Sequence, residues 1–119
     1  QYALFYPDRR PMDNGRVDFF QLGQLTFEAP DTETFRGLAL AYQAAEAGGT
    51  MPTVFNAANE KAVALFLQKK ITFLQIPELI ERSMEQHNVI GDPTVDQILE
   101  AEASTYEYIS EITKNKFGE

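Results

Sequence analysis

Residues 52–70 read PTVFNAANEKAVALFLQKK and hold the pattern on which the fold prediction depends. Proline suits the first turn of a helix, because its missing N–H has no helical partner there. Apolar side chains recur at three- and four-residue spacings, which predicts one buried helix face. That predicted face consists of Phe55, Ala58, Ala62, Leu65 and Phe66. Lys69 and Lys70 follow at the end, where cations complement the helix dipole.

A helix of similar period is predicted before this segment. Asp31 or Thr32 is expected to cap its start, and the glycines at 48 and 49 are expected to end it, because glycine readily adopts positive φ. Its predicted buried face consists of Phe35, Leu38, Tyr42 and Ala45.

Two more helices are predicted after it. The third spans about residues 76–87, with Ile76, Leu79, Ile80 and Met84 as its buried face. The fourth opens at 92–94, where Thr94 and Gln97 have the spacing of a capping box. Its predicted apolar stripe is Val95, Ile98, Leu99, Tyr106, Ile109 and Ile112. Because Glu102 interrupts this stripe, a bend or two short helices is expected near 100–104.

Residues 1–30 have a different character. They hold three of the six prolines and many aromatic side chains, with little helical period. The alternation at 24–28 predicts a short strand or an extended strap. We therefore predict a mainly α fold, in which an extended N-terminal strap (1–30) leads into a small four-helix bundle (31–119).

Composition excludes several classes of function. The chain has 119 residues, no cysteine and a net charge of -8. Such acidity argues against nucleic acid, whose phosphates need a basic surface. No apolar run approaches the ~20 residues that cross a bilayer. Without cysteine there is no disulfide, thiolate metal site or cysteine nucleophile. The opening at Gln1 predicts a piece cut from a longer polypeptide.

Few residues offer chemistry. His87 is the only histidine, and it is either a functional group or a solvated residue at a helix end. Glu78, Glu81 and Glu85 share one helix face, which could hold a divalent cation or simply face solvent. We predict no catalytic, cofactor-binding or metal-binding residue in this chain.

The motif at 56–60, NAANE, is the distinctive one. Asparagine is a poor helix former, so two of them on one helix suggest a role beyond helix formation. Asn56 and Glu60 share a face, while Asn59 lies to one side. Either these three residues form a polar site on an enzyme, or they bond an adjacent loop and fix the docking of the strap or of a neighbouring domain. The docking role is the one we predict.

With this motif the chain resembles the C-terminal region of 1-deoxy-D-xylulose 5-phosphate reductoisomerase. The resemblance covers essentially all 119 residues. It is dense as far as Phe73, through LGQLTFEAPD at 22–31, the glycines at 48 and 49 and NAANE at 56–60, and it is looser in the last forty residues. Two departures occur: Arg36 stands where the family often has proline, and Tyr106 where an arginine is common. The first is expected to loosen the start of the first helix, and the second puts in doubt the salt bridge that the arginine would make.

The resemblance implies a parent enzyme that uses NADPH and Mg²⁺ or Mn²⁺ in the non-mevalonate route to isoprenoids. It implies a homodimer located in the bacterial cytoplasm or in a plastid. The catalytic domain upstream in the same chain would be the partner of this segment. The segment itself would carry no cofactor, no catalytic residue and no activity.

Two alternatives stay open at this point. The chain could be a free-standing acidic helical module that binds a protein partner. It could also be a small enzyme built on Asn56, Asn59 and Glu60, although it lacks a nucleophile, a metal set and a tuned base.

Overall fold

The computed structural model describes the backbone of residues 1–13 and 15–117, and the side chains of these residues as far as 114. Its helices are α1 (Tyr2–Phe5), α2 (Phe19–Leu22), α3 (Arg36–Ala47), α4 (Met51–Leu67), α5 (Gln75–Gln86) and α6 (Val95–Phe117). The mainly α prediction is confirmed. Of the two alternatives for residues 24–28, the short strand is wrong, because no strand is present in the described residues. None of the described helices is long and apolar enough to span a membrane.

Contacts group the chain into two units, Gln1–Pro30 and Asp31–Glu119. In the first unit, α1 and α2 are single turns separated by irregular chain. The Asp18 carboxylate caps α2 by accepting the N–H of Phe20 at 2.9 Å. The Arg9 guanidinium lies over the Tyr2 ring, 4.5 Å from its centroid. Most large apolar side chains of this unit are exposed, Phe20 completely. The extended strap remains a prediction here.

In the second unit, α4 is the central helix and packs against α3, α5 and α6. Three of its small residues, Ala57, Ala58 and Ala62, are buried, so neighbouring helices can approach it closely. The buried core cluster consists of Leu40, Ala44, Met51, Val54, Ala58, Ala62, Ile71, Leu79, Ile80, Met84, Ala101 and Ile109. This core confirms the predicted faces of α4 at Ala58 and Ala62 and of α5 at Leu79, Ile80 and Met84.

Helix α3 differs from its prediction in two ways. It begins at Arg36, because the Asp31 carboxylate caps a separate turn by accepting the N–H of Thr34 at 2.9 Å. Arg36 itself forms an ion pair with Glu81 of α5. The predicted buried face is also wrong: Leu40 and Ala44 enter the core, whereas Phe35, Leu38, Tyr42 and Ala45 are exposed.

Helix α6 is continuous from Val95 to Phe117, so the alternative of two short helices near 100–104 is wrong. Neither proline nor glycine occurs in this range, and a single glutamate in an apolar stripe does not break backbone hydrogen bonds. The capping box is confirmed, since Gln97 N–H bonds Thr94 Oγ1 at 3.3 Å and Thr94 N–H bonds Gln97 Oε1 at 2.9 Å. Val95 and Leu99 of the predicted stripe are exposed, and Ile109 is fully buried.

Candidate docking site

The motif at 56–60 lies in the middle of α4, and the structure brings two of its three polar residues together. Asn56 Nδ2 donates to Glu60 Oε1 at 3.2 Å, one helical turn away. The other Glu60 oxygen, Oε2, lies 2.9 Å from the Tyr106 hydroxyl of α6. Glu60 therefore links α4 to α6 as well as to its own helix.

Tyr106, a departure from the family pattern, takes part in this network. Its hydroxyl also lies 3.2 Å from Glu102 Oε1, so two carboxylates face one phenol. The hydrogen bond to Glu60 raises the pKa of Tyr106 to about 12, with partial burial and the bond to Glu102 as further causes. The phenol is therefore neutral across the physiological range and holds the carboxylate by hydrogen bonding, without a salt bridge at this position.

Asn59 lies apart from this network. Its side chain is half-buried, and no hydrogen bond to it is formed by the part of the chain that the structure describes. It lines an open groove of about 460 Å³ between α4, α5 and the start of α3. Phe35, Phe73 and Leu74 lie at this groove and are each about two-thirds exposed or more. An apolar groove with one amide that no described residue bonds is a surface suited to binding a polypeptide.

His87 is partly buried and hydrogen-bonded. It is therefore not a solvated residue at a helix end, which was one of the two alternatives. Its Nε2 lies 2.6 Å from the hydroxyl of Thr50, which is completely buried at the start of α4. The same hydroxyl accepts the N–H of Ile90 at 3.1 Å, and Thr50 N–H donates to Ile90 O at 3.1 Å. Burial lowers the pKa of His87 below its ordinary value of 6.5. These bonds form a structural clasp between two loops.

Two of the three glutamates of α5 form ion pairs with arginines. Glu81 pairs with Arg36, and Glu78 lies 2.8 Å from Arg82 one turn further along the helix. Among the described residues, no three histidine, cysteine, aspartate or glutamate side chains come close enough to hold a metal ion. The structure therefore does not assemble Glu78, Glu81 and Glu85 into a cation site.

The helical unit, its polar network and its open groove define a helical domain with a candidate docking surface. Comparison with known families then places the chain among the C-terminal domains of a reductoisomerase. The family model described as the DXP reductoisomerase C-terminal domain matches residues 1–108, and the chain belongs to this family. Nothing in the comparisons supports a free-standing interaction module.

Curated relatives agree with this family. The 1-deoxy-D-xylulose 5-phosphate reductoisomerase of Agathobacter rectalis is 58% identical over 110 residues, which are 92% of this chain and 29% of that protein. The enzyme of the same name from Acetivibrio thermocellus is 53% identical over 114 residues, 96% of this chain and 30% of that protein. The chain thus spans about 30% of the length of the curated relatives it matches.

Solved structures share the fold. The reductoisomerase of Zymomonas mobilis, in complex with NADPH, superposes with a TM-score of 0.80 and 34% identity, over 95% of this chain and 30% of that one. A DOX-P reductoisomerase in complex with magnesium gives a TM-score of 0.80 at 30% identity, over 98% of this chain and 31% of that one.

Proposed function

We propose that this chain is the non-catalytic C-terminal domain of a 1-deoxy-D-xylulose 5-phosphate reductoisomerase and that it braces the catalytic domain of the same polypeptide. The observation that carries the proposal is the family match over residues 1–108. The parent would perform the NADPH-dependent conversion of the sugar phosphate to 2-C-methyl-D-erythritol 4-phosphate in isoprenoid biosynthesis. Its homodimeric state and its cytoplasmic or plastid location are further parts of this proposal.

The cofactors are assigned to the rest of the parent enzyme. The related structures contain NADPH in one case and magnesium in the other. The residues of this chain do not fit either group: the described side chains form no metal-ligand set, and the sequence has no glycine-rich phosphate loop. We therefore propose that these residues take part in no step of the reaction.

A hybrid enzyme tests the proposal. In it, this chain replaces the matching 110 residues of the Agathobacter rectalis reductoisomerase. We expect the hybrid enzyme to oxidise NADPH in the presence of the sugar phosphate and Mn²⁺, within about tenfold of the parental rate. The purified 119-residue chain should show no such oxidation. Turnover by the chain alone, or a folded but inactive hybrid enzyme, would contradict the proposal.

A further inference from the structure

The apolar face of α3 that periodicity predicts to be buried is exposed. Phe35 is 66% exposed and Leu38 is 39% exposed, and both line the groove beside Asn59. Phe73 and Leu74, on the link between α4 and α5, extend the same surface and are 65% and 76% exposed. Contiguous exposed apolar surface of this kind marks an interaction site on a folded domain.

The part of the groove that contains Phe73 is fixed by contacts with neighbouring residues. The ring of Phe73 packs edge-on against Phe66, with centroids 5.9 Å apart. Gln75 Oε1 accepts the Thr72 N–H at 2.6 Å and the Thr72 hydroxyl at 3.0 Å, which fixes the turn that carries Phe73. Preformed aromatic anchors lose little conformational entropy when a partner binds.

Asn59 indicates the chemistry of the occupant. Its amide carries two donors and an acceptor, and no described residue uses them. An apolar partner that covered the groove would leave these groups unpaired, at a cost of ~1–3 kcal/mol. A peptide backbone can satisfy both a donor and an acceptor while its side chains enter the apolar part of the groove.

Charge and shape indicate where the peptide that occupies the groove comes from. Arg36 is the only charged group among the described lining residues, and it is already paired with Glu81. The occupant therefore needs no charge of its own. A second copy is disfavoured, because each chain carries a net charge of -8 and because two concave surfaces do not fit each other across a twofold axis. The relatives are about three times as long as this chain, so the rest of a longer polypeptide is the partner that we favour.

We propose that the groove between α3, α4 and α5 receives an extended apolar segment of the parent's catalytic domain, with the Asn59 amide bonding its backbone. This inference rests on the proposed function and adds to it the surface at which the two domains meet. Phe35, Phe73 and Leu74 are the apolar anchors of the contact, and Asn59 sets its register.

Thiol labelling tests the contact, because the chain contains no cysteine of its own. Leu74→Cys places a thiol in the groove, and Leu99→Cys places a control thiol on α6, where Leu99 is 55% exposed. Maleimide labelling of each position is followed by peptide mass spectrometry in the isolated chain and in the hybrid enzyme. In the isolated chain, we expect position 74 to react at least as fast as position 99. In the hybrid enzyme, position 74 should react at least about tenfold more slowly, with position 99 changed by less than about twofold.

A second variant tests the role of Asn59. Asn59→Ala, combined with Leu74→Cys, should raise the labelling rate at position 74 about threefold or more in the hybrid enzyme and leave it unchanged in the isolated chain. Equal labelling of position 74 in the isolated chain and in an active hybrid enzyme would overturn the groove proposal while the proposed function stands. Protection of position 74 in an isolated chain that elutes as a dimer would assign the groove to a second copy. An inactive hybrid enzyme would overturn both proposals.

Discussion

Replacing Thr50 by valine tests the clasp between the two loops. Valine keeps the volume of threonine but removes the hydroxyl, which is completely buried and bonds both Ile90 N–H and His87 Nε2. Two hydrogen bonds are lost, and each is worth about 1 kcal/mol. We therefore expect Thr50→Val to lower the free energy of unfolding by about 2 kcal/mol. With a urea m-value of about 2 kcal/mol/M, the unfolding midpoint should fall by about 1 M.

Thr105→Val is the matched control for this experiment. Thr105 is only 3% exposed, and its hydroxyl donates to Ala101 O at 2.7 Å within α6. Because that carbonyl keeps its helical N–H partner, the same chemical change should alter the stability by less than about 0.5 kcal/mol. Urea unfolding followed by circular dichroism compares the two variants. Equal losses, or a Thr50→Val protein within about 0.5 kcal/mol of the unmodified chain, would refute the role assigned to the clasp.

Three further predictions concern single residues. Burial lowers the pKa of His87, so the folded state favours the neutral ring. The contribution of His87 to stability should be complete above pH 6.5 and fall as the pH drops below that value, and His87→Gln should remove this slope in urea titrations below pH 6.5. The pKa of Tyr106 is raised to about 12 from 10.0, so its contribution should be complete below pH 10 and be lost as the pH rises towards 12. Tyr106→Phe should therefore lose less stability than the unmodified chain over that range, and an identical loss in both proteins would contradict the bond to Glu60. In the hybrid enzyme, Asn59→Ala should destabilise domain docking by about 1 kcal/mol, seen as a lower melting temperature, with NADPH affinity changed by less than about twofold. A selective loss of NADPH affinity at unchanged melting would contradict a docking role.

The sequence predicted local features well and distant partners poorly. The buried face of α5 and the capping box of α6 depend on neighbours within one or two turns, so periodicity and spacing were sufficient to find them. The pairing of Asn56 with Glu60 also follows from their spacing on one helix face. In contrast, the partner of His87 lies 37 residues away, and no local pattern indicates it.

The apolar face of α3 shows a different limit. The pattern of Phe35, Leu38 and Tyr42 correctly identifies an apolar helix face, yet these residues are exposed and Leu40 enters the core. Periodicity establishes that a face is apolar, but it does not say whether the surface that covers it belongs to the same domain. The exposed part of this face, Phe35 and Leu38, lies in the groove that we propose as the docking surface.

The clasp also has a consequence for the order of folding. It joins Thr50 and Ile90, which lie 40 residues apart in the chain. A Cβ at position 49 would lie 2.1 Å from Ile90 O, so the backbones of the two loops can approach this closely only because residue 49 is glycine. Contacts of such separation close a long loop and gain little until the helices between them have packed. We expect the clasp to form after the folding transition state, so that weakening it speeds unfolding and leaves the folding rate nearly unchanged. The residues around Thr50 would then set how long the folded domain lasts, while the α4 and α5 pair sets how fast it forms.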